Sequence, residues 1–167
     1  YIGLLEKAPL PTSLTKQSIA FDIGTGTGVL AAVLAKRGIQ KIIATDQDER
    51  AIECAAENIE GLGIGKQVKL VQTNLFPDGQ AALIVCNPPW VPARPSSPIE
   101  YAVYDPDSQM LKGFLTGLRE HLLPDGEGWL ILSDLAEHLG LRTRAELLEW
   151  IEAAGLSVLG RNDVRPT

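Results

Sequence analysis

The sequence predicts an α/β protein built on a mostly parallel, twisted sheet with helices on both faces. Three observations carry that prediction. Short apolar runs alternate with helix-like segments along nearly the whole chain. The runs are continuously apolar, as in strands buried on both faces, rather than alternating as in a half-exposed sheet. Glycines and prolines punctuate the boundaries between the two kinds of segment.

Each element can be justified in order. Ile19–Ile23 is a short apolar run that ends in glycine-rich sequence, so it reads as a first strand. Val29–Arg37 is rich in Ala and Leu and is closed by Gly38, which predicts a helix. Lys41–Thr45 is β-rich and stops at Asp46. Asp48 is placed to cap a helix from Glu49 to Glu60, stopped by Gly61 and Gly63. Val68–Gln72 alternates as a strand. Ala82–Cys86 is an apolar strand cut off by Asn87, Pro88 and Pro89, because proline has no donor for a sheet ladder. The proline-rich stretch 92–106 reads as a long loop. Ser108–Leu123 reads as a helix, Pro124-Asp125-Gly126 as a turn and Trp129–Leu132 as a strand. Thr143–Ala154 reads as a helix ended by Gly155, and Leu156–Leu159 as a sixth and last strand. The polar tail "GRNDVRPT" has no strand pattern.

The 167 residues suit one domain, 1–167, with residues 1–18 as a lead-in to the first strand. A hydrophobic fraction of 45% and a charged fraction of 22% are those of a soluble globular protein. No apolar run is long enough to span a membrane, and no signal-peptide pattern opens the chain. Cys54 and Cys86 show no metal or redox spacing, which makes a reducing cytoplasm the expected compartment and no metal the expected state. A net charge of −6 argues against gripping nucleic acid by charge alone.

Ligands of such sheets sit outside the carboxyl ends of the strands, near the point where strand order reverses. The first strand ends in "FDIGTGTGVLA", with Asp22, Gly24, Thr25, Gly26 and Gly28 ahead of a helix. Glycines there allow a tight turn and close approach of backbone to a ligand. Dinucleotide binding wants G-x-G-x-x-G, and Val29 stands where its third glycine would be. No phosphate-gripping lysine follows, which excludes a P-loop. Asp46, at the end of the second strand, can accept two hydrogen bonds from a ribose diol. Loop and acid together point to an adenosine-containing cofactor.

With these residues in view, the chain resembles a class I S-adenosylmethionine-dependent methyltransferase, a Rossmann-like fold, from about Ile19 to Leu159. The resemblance implies S-adenosylmethionine as cofactor, with Asp22 near its methionine end, Gly24–Gly28 beside it and Asp46 on its ribose. "TNLF" resembles the stretch that contacts the adenine, here Asn74 and Leu75. "NPPW", Asn87-Pro88-Pro89-Trp90, resembles the N-P-P-aromatic motif of enzymes that methylate nitrogen in a planar group, and Asn87 borders the cofactor as well. "IEYAVYDPDSQMLKGFLTGL", with Tyr104-Asp105-Pro106 and Gly113 and Gly117, resembles the segment that follows the motif in release-factor glutamine methyltransferases.

The four-residue motif has a chemical rationale. An amide or aromatic amine nitrogen shares its lone pair with a π system and is a poor nucleophile. Asn87 can accept one of its N–H groups through the side-chain oxygen, and the Pro88 carbonyl can accept the other. Two prolines hold that geometry at low entropic cost, and Trp90 can stack on the flat acceptor. The implied reaction is methyl transfer to a macromolecular acceptor. A protein glutamine is favoured, and a guanine N2 or adenine N6 in nucleic acid is the alternative. Two readings from other classes compete. An NAD-dependent oxidoreductase leaves "NPPW" unexplained. A non-catalytic methyltransferase-like subunit would normally have lost one of the two motifs. His121 and His138 have no acid or cysteine partner at ligand spacing and read as structural. Tyr101 and Tyr104 overhang the expected acceptor position and are candidates for touching it. The superfamily usually adds a seventh, antiparallel strand, which the tail cannot supply. The sequence therefore predicts six strands, with an exposed edge or a partner covering it.

Overall fold

The computed structural model describes residues 2–90 and 104–165. Tyr101 and most of the proline-rich stretch fall outside the described residues. The elements run α1 (Ile2–Lys7), β1 (Ile19–Ile23), α2 (Val29–Lys36), β2 (Lys41–Asp46), α3 (Glu49–Gly61), β3 (Val68–Gln72) and β4 (Ala81–Cys86). A 3-10 turn (Pro106–Ser108), α4 (Gln109–His121), β5 (Leu122–Leu130), α5 (Leu135–His138) and α6 (Arg144–Ala153) follow.

The strands form one five-stranded sheet in the order β3-β2-β1-β4-β5, and every neighbouring pair is parallel. Burial on both faces follows from the apolar runs. All six residues of β4 are buried, as are Ala20 to Ile23 of β1. Because successive strand side chains point to opposite faces, each strand feeds two cores. On one face Ala20, Ile42, Ala44, Leu83 and Val85 pack with Leu30, Ala31 and Leu34 of α2 and Ala55 and Ile59 of α3. On the other, Phe21, Ile23, Ile84 and Cys86 pack with Leu111, Phe114, Leu115 and Leu118 of α4. Half-buried Leu147, Trp150 and Ile151 of α6 join this second core. No helix among the described residues is long and apolar enough to cross a membrane.

The caps follow local chemistry. Asp48 Oδ1 accepts the Arg50 N–H at 3.0 Å at the start of α3. At α6, Thr143 Oγ1 accepts the Glu146 N–H at 3.1 Å while Glu146 Oε2 accepts the Thr143 N–H at 2.7 Å, a reciprocal capping box. Thr143→Ala is expected to lower unfolding stability by about 1 kcal/mol, readable as a shifted urea midpoint with an unchanged slope.

Two expectations about the sheet need correction. The fifth strand is Leu122–Leu130, not Trp129–Leu132. Leu122 pairs with Ala81 and Glu127 pairs with Leu83, so the Pro-Asp-Gly turn is absorbed as a bulge, with Asp125 at φ 63°. Leu156–Leu159 is not a strand, and the described sheet has five strands rather than six. The Leu156 N–H donates to Ile151 O at 3.2 Å and so finishes the end of α6 instead of entering a ladder. Val158 and Leu159 are 56% and 77% exposed, with no sheet face to cover.

Candidate active site

The strand order fixes where a site can form. From β1 the chain winds outward through β2 and β3, then crosses back to β4 on the other flank of β1. The carboxyl ends of β1 and β4 therefore border the switch-point crevice. Asp22 lies beside Val85 and Ile23 beside Cys86, which brings the glycine loop and Asn87 out of adjacent strand ends.

The loop is held by its own polar groups and by β2. Thr25 N–H donates to Thr45 O at 2.7 Å, and Gly28 N–H donates to Thr25 O at 2.9 Å. The three glycines do different things, all at positive φ. A Cβ on Gly24 would collide with the Met110 methyl. A Cβ on Gly28 would meet Ala55 Cβ at 3.4 Å, so this glycine brings α3 close to the start of α2. A Cβ on Gly26 would have no atom of the described residues within 4 Å. Of the three, Gly26 is the one that leaves room for a ligand.

Asp22 is fully buried. Its Oδ2 accepts the Thr25 hydroxyl at 2.6 Å and the Ala31 N–H at 3.0 Å. Its Oδ1 is buried with no hydrogen-bond partner among the described residues. Burial pushes the carboxyl up to about 6. The Thr25 and Ala31 hydrogen bonds oppose that rise, and the nearby Asp46 charge adds to it. Asp46, half-buried, accepts the Gly26 N–H through Oδ2 and the Asp48 N–H through Oδ1, each at 3.0 Å. The acid thus ties the glycine loop to the turn after β2. Each oxygen keeps a second lone pair for a ligand hydroxyl.

After β3, Asn74 is exposed and Leu75 adopts φ 62°. That conformation is unusual for leucine and is fixed by Thr45, whose hydroxyl donates to Leu75 O at 2.6 Å. The two helix glycines serve this loop. A Cβ on Gly113 would lie 2.6 Å from Leu75 Cδ1, and one on Gly117 would lie 2.5 Å from Phe76 Cε2. Phe76 stacks on His121 with centroids 4.2 Å apart, and His121 Nδ1–H donates to Gly117 O at 2.8 Å. His121 is therefore a packing residue. His138, expected to have no acid partner, is exposed and its Nε2 lies 3.1 Å from Asp134 Oδ2, one helical turn earlier.

At the tip of β4, Pro88 is buried, while Asn87, Pro89 and Trp90 are half-buried. Trp90 Nε1–H donates to Asn87 Oδ1 at 3.0 Å. The aromatic residue is thus tied to the motif's own amide, and the oxygen keeps one lone pair for an acceptor N–H. Burial raises the Cys86 thiol well above its usual range, and the charges of Asp22 and Asp105 raise it further, so it stays a neutral packing group.

Three contributors escaped the reading of the sequence. Thr45 and Met110 hold loops by contacts that no local pattern announces. The anchoring role of Asp105, named above only for its place in Tyr104-Asp105-Pro106, is the third. Asp105 is buried, and its two oxygens accept the Met110 and Leu111 N–H groups at 2.9 and 3.0 Å, anchoring the start of α4. Its signal was present, since an aspartate followed by proline marks a helix start. Half-buried Tyr104 precedes it.

A five-stranded parallel sheet in this order with flanking helices is the Rossmann-like fold of class I methyltransferases. The profile of the family described as ribosomal protein L11 methyltransferase (PrmA) matches residues 4–88, and the chain belongs to that family. The ribosomal protein L11 methyltransferase of Pelotomaculum thermopropionicum is 42% identical over 88 residues, covering 52% of this chain and 27% of the relative. The U6 small nuclear RNA (adenine-(43)-N(6))-methyltransferase of Caenorhabditis elegans is 33% identical over 103 residues, covering 54% of this chain and 22% of the relative. The chain spans about a quarter of the length of these curated relatives. Among solved structures, the ribosomal protein L11 methylase of Lactobacillus delbrueckii subsp. bulgaricus superposes with a TM-score of 0.61 at 24% identity, over 92% of this chain and 64% of that one. A geranyl diphosphate methyltransferase superposes with a TM-score of 0.65 at 14% identity, over 92% and 62%.

Proposed function

We propose that the protein is an S-adenosylmethionine-dependent N-methyltransferase whose acceptor is a planar amide or exocyclic amine on a macromolecule. The observation that carries this reading is the placement of Asn87-Pro88-Pro89-Trp90 at the β4 tip, next to the glycine loop across the switch point. The residues suit the cofactor. Gly26 leaves open space above the loop, Asp46 keeps lone pairs for ribose hydroxyls, and Asp22 carries a buried negative group for a positively charged ligand. Gly24, Thr25, Gly28, Asn74 and Leu75 complete the cradle, with Asn87 at its border.

When bound, S-adenosylmethionine supplies a methyl group on an already electrophilic sulfonium. The chain's part is positioning and electrostatics. The free lone pair of Asn87 Oδ1 and the Pro88 carbonyl accept the two N–H groups of the acceptor. That turns the nitrogen lone pair out of the flat group toward the methyl. No strong base is needed beforehand, because the methylated nitrogen becomes acidic and sheds its proton afterward. Trp90 keeps Asn87 in one orientation.

A protein glutamine, as in release-factor methylation, is the acceptor we favour. A protein acceptor agrees with the net charge of −6 and with the protein named in the family's description. The 33% identity to an enzyme named for an RNA adenine N6 favours a base as the second reading. The compartment we propose is the reducing cytoplasm. Incubating the chain with methyl-labelled cofactor and cell extract tests all of this. Label that protease releases supports a protein acceptor, label that nuclease releases supports a base, and no transfer overturns the proposal. Asp46→Ala is expected to weaken S-adenosylhomocysteine binding by about 1.5–3 kcal/mol, measured by calorimetry, because hydrogen bonds to a charged group are lost.

A further inference from the structure

Met110 is the single methionine of the chain, and its methyl group fills the space over Gly24. A Cβ on Gly24 would collide with that methyl and lie 3.7 Å from the sulfur, so the thioether packs directly on the loop's backbone. Gly24 is also where the two walls of the crevice meet. Ile23 pairs with Cys86, so the residues that follow, Gly24 and Asn87, leave β1 and β4 side by side. The mount of the thioether is rigid. Both oxygens of buried Asp105 hold the Met110 and Leu111 N–H groups, and Leu111 is buried in the second core. Just ahead, Asp107 and Ser108 stand at φ 55° and 53°. Two consecutive left-handed residues that are not glycine are costly, and persist where the surroundings over-determine them. The Met110 side chain itself is half-buried and unbranched, with three rotatable bonds. A fixed backbone thus carries an adaptable group to the junction of the glycine loop with the Asn-Pro-Pro-Trp tip.

We infer that Met110 is a displaceable plug that sets which nucleosides the site holds. In the free protein its methyl fills the place beside Gly24. A nucleoside with a thioether-linked amino-acid arm takes that place and pushes Met110 aside, whereas one that ends at its ribose leaves the plug where it is. The inference rests on the cofactor reading given above and deepens it to a contact residue on α4. The exchange is cheap for a ligand of this chemistry. The space vacated is that of a sulfur and its methyl, and the arm brings a sulfur flanked by carbons, so one thioether replaces another of similar shape. It is cheap for the protein as well, because rotation of a side chain suffices and the anchored start of α4 stays in place. The displaced thioether remains within reach of the arm that replaced it. With the plug in place, Gly26 alone of the three loop glycines presents open backbone.

Protein labelled with methyl-13C methionine supplies the test, since residue 110 is the chain's one methionine and Met110→Leu identifies its signal by removing it. The probes are S-adenosylhomocysteine, which has the arm, and adenosine, which does not. Saturation with S-adenosylhomocysteine is expected to move the Met110 methyl signal by more than its linewidth, and adenosine to leave it within the linewidth. Calorimetry reads the same contact through affinity. In Met110→Phe a broad ring replaces the flexible chain. S-adenosylhomocysteine affinity is expected to fall about tenfold, the scale of one overpacked side chain, with adenosine affinity unchanged. Met110→Leu conserves volume and should keep both affinities within about threefold. S-adenosylhomocysteine that binds by calorimetry without moving the methyl signal overturns the proposal and leaves the cofactor reading standing. An equal shift with adenosine, or equal weakening of both probes in Met110→Phe, overturns it too, because either marks a residue that only packs. Failure of both probes to bind the unaltered protein overturns the cofactor reading and the proposal together.

Discussion

Asn87→Ala is expected to lower methyl transfer roughly a hundredfold or more while S-adenosylhomocysteine affinity stays within about threefold, the pattern of losing one positioned electrostatic contact. The expectation rests on where Asn87 sits. It leaves the end of β4 at a point fixed by a buried proline, beside the loop expected to hold the cofactor. Its oxygen is already oriented by the Trp90 indole at 3.0 Å. Removing the amide takes away the group that would turn the acceptor nitrogen and leaves the indole N–H unpaired. The residue is half-buried at a strand tip, so the sheet itself should persist. The measurement pairs labelled transfer into cell extract with calorimetry on the same sample. Normal labelling by the variant would reduce the motif to a turn that ends a strand.

Gly26→Leu is expected to weaken S-adenosylhomocysteine binding by roughly two orders of magnitude, because a side chain would fill the space that close backbone approach requires. Gly26 has φ 56°, and a Cβ added there has no atom of the described residues within 4 Å. Its cost to the fold is the left-handed backbone alone, about 1–2 kcal/mol. Gly24 makes the contrast, since a Cβ there would strike Met110. Gly24→Leu would also have to displace the flexible end of Met110, whereas Gly26→Leu should damage binding with a melting temperature only a few degrees lower. Unchanged affinity in a folded Gly26→Leu protein would remove the glycine loop from the ligand site.

Much of this arrangement is legible in the chain because local and tertiary forces agree. β1 and β3 fall where the apolar runs place them, and α2, α3 and α6 start and stop within a residue or two of their caps and glycines. The glycine loop, Asp46 and the β4 tip converge as the α/β alternation requires. What escaped was set by contacts distant in sequence. Pro124-Asp125-Gly126 has the chemistry of a turn, yet pairing of Leu122 with Ala81 draws it into β5 as a bulge. Leu156–Leu159 has the composition of a strand, but its first N–H closes α6. Gly113 and Gly117 resembled a family signature. In the fold they are the clearance for Leu75 and Phe76, which only the packing of α4 against the β3–β4 connection reveals. The Trp90 to Asn87 bond was likewise beyond composition, since an indole at a strand tip can turn outward or inward.

The strand order also governs how the site comes into being as the chain folds. β1, β2 and β3 follow one another with a single helix between neighbours, so each pairing closes only a short loop. β1 and β4 meet across roughly sixty residues, Ala20 with Leu83, and that closure carries a larger entropic cost than the local ones. The two walls of the crevice belong to opposite sides of this late closure, the glycine loop to the early segment and the Asn-Pro-Pro-Trp tip to the late one. A chain that has formed only its first three strands holds the acid and the glycines but not the Asn-Pro-Pro-Trp tip beside them. Pairing of β4 with β1 is the step that brings the two walls of the crevice together, with β5 added on the outer side of β4.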